Sequence, residues 1–159
     1  MKYVGIANSK YKKTLLKNKK SGNIVSLTLP GLAASCTDHF EILDIFDKIG
    51  SCRYENFLNT SYVKSHINNG KSSSAVLDKI KKFYKLYSSI SDIGFNYKRG
   101  YIVVTSDGAR LDGSHRSSIV EHLGMKKVDV IQMNWSDFFS GKDLQKIKRH
   151  IGSQRSKLL

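Results

Sequence analysis

Residues 110–124 read RLDGSHRSSIVEHLG. Asp112, Gly113, Ser114, His115 and Arg116 follow one another directly. Behind them, the apolar spacing of Ile119, Val120 and Leu123 predicts a helix that begins near Ser114. The start of a helix leaves backbone N–H groups unpaired and carries a partial positive charge. A glycine just before it lets the backbone approach a ligand closely or take a positive φ. Ser114 adds a hydroxyl, and His115 and Arg116 add side-chain donors. These types converge on an oxyanion, above all a phosphate. Asp112 is the odd member, because a carboxylate repels phosphate. It suits a site that holds Mg²⁺ or takes a proton from an attacking hydroxyl. The same residues also have a plainer reading, in which Asp112 or Ser114 caps the helix and His115 and Arg116 face solvent.

The flanking sequence supplies elements to position that turn. Tyr101 to Thr105 reads as a strand, Asp107-Gly108 as a hairpin turn, and Arg110-Leu111 as the returning strand. The helix from Ser114 to Leu123 ends at Gly124, and KKVDVIQM alternates as a further strand. Upstream, NIVSLTL at 23–29 predicts a strand closed by Pro30 and Gly31. DHFEILDIFDKIG predicts a short helix with Asp38 as N-cap and Gly50 as C-cap. A short helix over 60–68 precedes a loop at Asn68-Asn69-Gly70. Val76, Ile80, Phe83, Tyr87 and Ile90 then form a helical stripe that Gly94 ends. The polar positions of that helix are mostly lysine. They read as the solvated side of a core-packing helix, or as a basic face for nucleic acid. A last helix is expected over 136–151, with Trp135 as an anchor before it. The expectation is an α+β fold, a small mixed sheet with packed helices. It forms a single domain over 23–159, preceded by a basic segment, 1–22.

The charge balance narrows the partners. Lysine and arginine total 27 against 13 acids, a formal net charge of +14. Such a chain attracts anions: nucleic acid, a membrane leaflet or phosphorylated small molecules. A lysine-rich surface without a specific partner is the bland alternative. Lys2, Lys10, Lys12, Lys13, Lys17, Lys19 and Lys20 meet no acid in the first twenty residues, and KIKRHIGSQRSKLL near the other end is also basic. No apolar run approaches the roughly 20 residues of a membrane-spanning helix. IVSLTLPGLAA at 24–34 follows the basic stretch as a signal peptide would, but it is short and broken by Pro30. Cys36 and Cys52 lack CxxC spacing and read as reduced, partly buried residues. The expectation is a cytoplasmic protein whose basic N-terminus can reach the inner face of a membrane.

LDGSHRSSIVEHLGMKKVDVIQ resembles the signature segment of the ParB/sulfiredoxin superfamily: a hairpin, a Gly-x-[His/Arg]-Arg turn at a helix start, a Leu-Gly helix end and a short valine-rich strand. The likeness covers about residues 101–133, and the rest of the chain matches in element order alone. It implies a turn that holds nucleotide phosphates on Gly113, Ser114, His115 and Arg116. The variant residues divide the superfamily by chemistry. Sulfiredoxins look like Gly-Cys-His-Arg with a nucleophilic cysteine, and Ser114 stands in that place here. ParB proteins look like Gly-Glu-Arg-Arg and bind CTP. Free-serine kinases of this fold look like Asp-Gly-His-His-Arg, and DGSHR is nearest to these because it keeps the acid before the glycine. That branch implies ATP or another nucleotide as phosphoryl donor, Mg²⁺ held by Asp112, and a small hydroxyl-bearing acceptor. The acceptor would be an amino acid, or a sugar or polyol, since similar LDGSHR proteins accompany surface-polysaccharide synthesis. His115 and Arg116 would neutralise charge on the transferring group. Asp112, with Glu55 from RYENF, would serve the transfer. The rival function is a ParB-like nucleic-acid binder or nuclease. A nuclease needs metal-binding carboxylates, for which Asp112 with Asp107 or Glu55 are the candidates.

The remaining candidates carry less. Lys98, Arg99 and Arg110 flank the hairpin and either steer anions or are exposed turn charges. His39, His66 and His122 are isolated in sequence, without metal-ligand spacing. NNGKSSS contains Gly-Lys-Ser but lacks the upstream glycine of a phosphate loop and reads as a plain loop.

Overall fold

The computed structural model describes residues 22–28, 37–50, 53–106, 110–134 and 136. Pro30-Gly31, both cysteines, the Asp107-Gly108 turn, Trp135 and all of the last helix except Ser136 lie outside the described residues. So do the basic segments at the two ends.

The chain is α+β, and the described residues form four helices and one four-stranded mixed sheet that does not close. Strand β1 spans Asn23–Thr28, β2 Val103–Thr105, β3 Arg110–Asp112 and β4 Lys127–Met133, in spatial order β1-β4-β2-β3. β1 lies antiparallel to β4 with Val25 opposite Val130, and β2 antiparallel to β3 with Val103 opposite Asp112. β4 runs parallel to β2, with Val103 opposite Ile131. A parallel pair needs a crossover. Here β3 and the following helix supply it, so the turn between β3 and that helix is fixed at one end of the sheet.

Helix α1 spans Thr37–Ile49, α2 Ser61–Asn68, α3 Ser73–Ile93 and α4 Ser114–His122, with a single-turn 3₁₀ helix at Tyr54–Phe57. α1 buries His39, Ile42, Leu43 and Phe46, spaced i, i+3, i+4 and i+7 along one face. It begins two residues earlier than an Asp38 N-cap would place it, so Asp38 sits inside the first turn, where its charge suits the helix dipole. Thr60 caps α2 and Ser72 caps α3, each side chain accepting from the backbone N–H three residues on. α3 buries Val76, Ile80, Phe83 and Ile90 and leaves Lys81, Lys82 and Lys85 exposed, so its lysines form the solvated face. β2 is shorter than the expected 101–105, although the Ile102 carbonyl still accepts from Ile131 N–H at 2.9 Å.

The helices pack on one side of the sheet. Ile102, Val104, Val128 and Val130 from the sheet join Phe46, Phe57, Tyr62, Phe83, Ile119 and Val120 in one core. Val103, Ile131 and Met133 alternate with these along their strands and are buried on the opposite face. No helix among the described residues is long and apolar enough to cross a membrane.

Candidate functional site

The turn from β3 into α4 is shaped by Gly113. Its φ of 88° is left-handed, and a Cβ there would lie 2.9 Å from both Ile102 Cα and the Tyr101 carbonyl oxygen. No other residue type fits that combination of angle and contact. No side chain caps α4, and its first backbone bond runs from Ser117 N–H to the Gly113 carbonyl at 2.8 Å. The N–H groups of Ser114, His115 and Arg116 precede that bond. The capping role foreseen for Asp112 or Ser114 is therefore not taken up. Asp112 Oδ1 instead accepts from Gly113 N–H at 2.8 Å.

Arg116 lies against the segment that leads into β2. A Cβ on Gly100 would come within 2.3 Å of Arg116 Nε and 2.7 Å of Nη2, so the guanidinium rests directly on a bare Cα. Arg99 and Arg116 share a small recess of about 80 Å³ with Ile90, Phe95 and Gly100. A larger recess of about 430 Å³ adjoins it through Phe95 and Asn96, and Tyr97, Lys98, Lys127 and Asp129 help to line it. Lys98 and Arg99 are exposed, as their place beside the hairpin implied. Arg110 is not: it is 0% exposed, and its Nη1 donates to Ser117 Oγ at 2.5 Å. It supports α4 from below and does not steer ligands.

A polar network underlies the first turn of α4. Ser117 Oγ donates to the Ser114 carbonyl at 2.9 Å, and Ser118 Oγ donates to the same carbonyl at 3.0 Å. His39 Nδ1 lies 2.9 Å from Ser118 Oγ and also interacts with the Ser114 carbonyl. Ser118 Oγ gives its one proton to the Ser114 carbonyl, so it accepts from His39, which carries its proton on Nδ1.

His115 points inward from the turn. Its ring stacks on His39 with centroids 4.4 Å apart and planes 11° apart, and the Phe83 ring meets it edge-on, also at 4.4 Å. Tyr62 Oη lies 3.3 Å from His115 Nε2, and His66 packs on Tyr62 with ring centroids 4.6 Å apart. Burial, and then the neighbouring His39, pushes the His115 pKa down to about 3. Burial and the Arg110 charge push His39 down to about 4. Both rings are neutral near pH 7. In this neutral state the His115 ring offers a hydrogen bond, and Arg116 brings the cation.

The isolated histidines of the sequence are thus not isolated in space. His39 and His66 join His115 and Tyr62 in one cluster, brought together by the packing of α1, α2 and α3 against α4. The acid that acts on this cluster is Asp38, whose charge opposes the lowering at His115. Glu55 is exposed on the 3₁₀ helix, and no interaction among the described residues joins it to Asp112. His122 closes the far end of α4 on α1, with Nε2 2.7 Å from Asp47 Oδ2. No group of three or more His, Cys, Asp or Glu side chains that could hold a metal ion occurs among the described residues, so Asp112 would have to bind Mg²⁺ as a lone protein carboxylate.

Compared with models of protein families, with curated proteins and with solved structures, the chain shows no significant match.

Proposed function

We propose that the protein is a nucleotide-dependent phosphotransferase of the ParB/sulfiredoxin-like kind. In this reading the turn at Gly113–Arg116 seats the phosphates, and the acceptor is a small hydroxyl-bearing molecule such as a sugar, polyol or amino acid. The observation that carries the reading is the start of α4: a left-handed glycine that no Cβ can replace, an uncapped first turn, and Arg116 on that turn. Backbone N–H groups of this kind suit phosphate oxygens, and an arginine beside them adds a charge-assisted bond.

Mg²⁺ fits here on Asp112, because this ion is commonly held by one or two carboxylates together with substrate phosphates. When bound, it supplies charge neutralisation between phosphate oxygens. The chain's own contributions follow from their chemistry. Ser114, His115 and Arg116 N–H groups orient the phosphates, the Arg116 guanidinium offsets developing charge, and Asp112 holds the metal or accepts the acceptor's hydroxyl proton. The 430 Å³ recess lined by Phe95, Tyr97 and Lys98 is large enough for a small organic substrate.

The test is a thermal-shift series with ATP, ADP, CTP and GTP plus Mg²⁺ on the wild type and on Arg116→Ala. A ligand that binds the folded state raises the melting temperature by mass action. A shift with one nucleotide that disappears in Arg116→Ala supports the reading, and no shift with any of the four rejects it. The +14 charge favours a second reading, a nucleic-acid binder, whose mark is affinity that falls steeply with salt and no turnover.

A further inference from the structure

The His115 ring is held on three sides. His39 covers one face at 4.4 Å, the edge of Phe83 abuts the ring at 4.4 Å, and Tyr62 Oη takes Nε2 at 3.3 Å. These neighbours fix the ring plane and occupy one of its two nitrogens. What remains for a ligand is Nδ1, and its chemistry depends on the tautomer.

The tautomer follows from counting donors. Tyr62 is 2% exposed, and burial pushes its pKa up to about 12, so its oxygen keeps its proton. Among the described residues its hydroxyl has one hydrogen-bonding neighbour, His115 Nε2. If Nε2–H donated to the phenol oxygen, the buried phenol O–H would be left without an acceptor, which costs free energy. The satisfied arrangement has the phenol O–H donating to a bare Nε2 and the imidazole proton on Nδ1. His39 reinforces it, because its own proton is committed to Ser118 Oγ, whose proton goes to the Ser114 carbonyl, and does not compete for Nε2.

We infer that Tyr62 and His39 are positioning residues that lock His115 as the neutral Nδ1–H tautomer in one fixed plane, so that an anionic ligand reaching the ring would meet a single imidazole N–H donor. The donor role rests on the phosphate-binding reading of the turn, whereas the tautomer lock can be read without any ligand. A locked neutral donor suits a phosphate oxygen and rejects a cation. It also keeps His115 from acting as a general base while Tyr62 is in place, which leaves proton removal to Asp112.

The experiment is ¹⁵N-imidazole NMR on the full chain with ¹⁵N-labelled histidine, comparing wild type, Tyr62→Phe and His39→Phe, with Mg²⁺-ATP added afterwards. His115 in the wild type is expected to show a protonated Nδ1 and a bare Nε2. Tyr62→Phe keeps the aromatic packing, so the fold should hold while the signal moves toward the Nε2–H form that a free imidazole prefers in water. His39→Phe keeps a stacking ring and should leave the tautomer in place but broaden the signal as the ring plane loosens. Loss of one neutral hydrogen bond should weaken nucleotide binding in Tyr62→Phe by roughly three- to tenfold. An Nε2–H His115 in the wild type, or a tautomer indifferent to Tyr62→Phe, overturns the lock. A locked Nδ1–H signal that no nucleotide perturbs leaves the lock standing and removes the phosphate-binding reading instead. The two failures are therefore distinct.

Discussion

The imidazoles of His39 and His115 lie face to face, 4.4 Å apart and 11° from parallel, although one belongs to α1 and the other to the first turn of α4. Two protonated rings at that distance would repel, and burial alone disfavours even one charge. The stack is therefore a structure of neutral pH.

That gives a pH dependence of defined sign. Both histidines have folded-state pKa values, about 4 for His39 and about 3 for His115, below the ordinary value of 6.5. Below pH 6.5 the unfolded chain binds protons that the folded chain refuses, so stability falls with pH. The contribution is complete above 6.5 and is lost as pH falls through the folded values. Each histidine should add up to about 1.4 kcal/mol per pH unit in that window. Urea denaturation at pH 7, 6 and 5 measures it, and His115→Gln should flatten the slope. An equal slope in that variant would place the protonation elsewhere.

Gly100 and Gly113 should separate stability from binding. Gly113→Ala forces a Cβ to within 2.9 Å of backbone atoms at a φ of 88°, and should cost about 1–3 kcal/mol in denaturation experiments. The atoms nearest a Cβ on Gly100 all belong to the Arg116 guanidinium, which can swing away. The melting temperature of Gly100→Ala should stay near wild type while the nucleotide-induced shift shrinks. Preserved nucleotide binding in Gly100→Ala would mean that the Arg116 position seen here is not the one used by ligand.

Asp112 should matter to turnover more than to binding. Asp112→Asn keeps an acceptor for Gly113 N–H but loses the charge needed to take a proton. Phosphoryl transfer should fall by about 10²–10⁴-fold, the range of a general base, with the thermal shift by nucleotide retained. A loss of both together would point to metal binding as its main role.

The far end of α4 should contribute to stability alone. Asp47 accepts from the Tyr87 hydroxyl through Oδ1 and pairs with His122 through Oδ2, and these partners, Tyr87 first, hold its carboxyl below the usual range. Its stabilising effect is complete above the ordinary carboxylate pKa and is lost as pH falls through the lower folded value. Asp47→Ala should cost about 1 kcal/mol by urea denaturation, a modest figure because the site is solvent-exposed. Nucleotide binding should not change.

The sequence by itself determined the local structure. The apolar spacing in α1 and α3, the helix end at Gly94, the alternation in β4 and the glycine before α4 are all read from neighbours a few residues apart, because helix and strand periodicity are local properties. It also marked Asp112–Arg116 as the turn most able to hold an anion. Burial and partnership were left to the tertiary structure, since they depend on which elements meet. Arg110 reads as a turn charge and is in fact sealed under α4 on Ser117. His39, His66 and Tyr62 lack any motif spacing, yet helix packing gathers them around His115. Glu55 had a plausible type but is exposed, and no interaction among the described residues joins it to Asp112. A side chain's type is set by its codon, but its charge state and its partner are set by the dielectric and the contacts that only the folded chain creates.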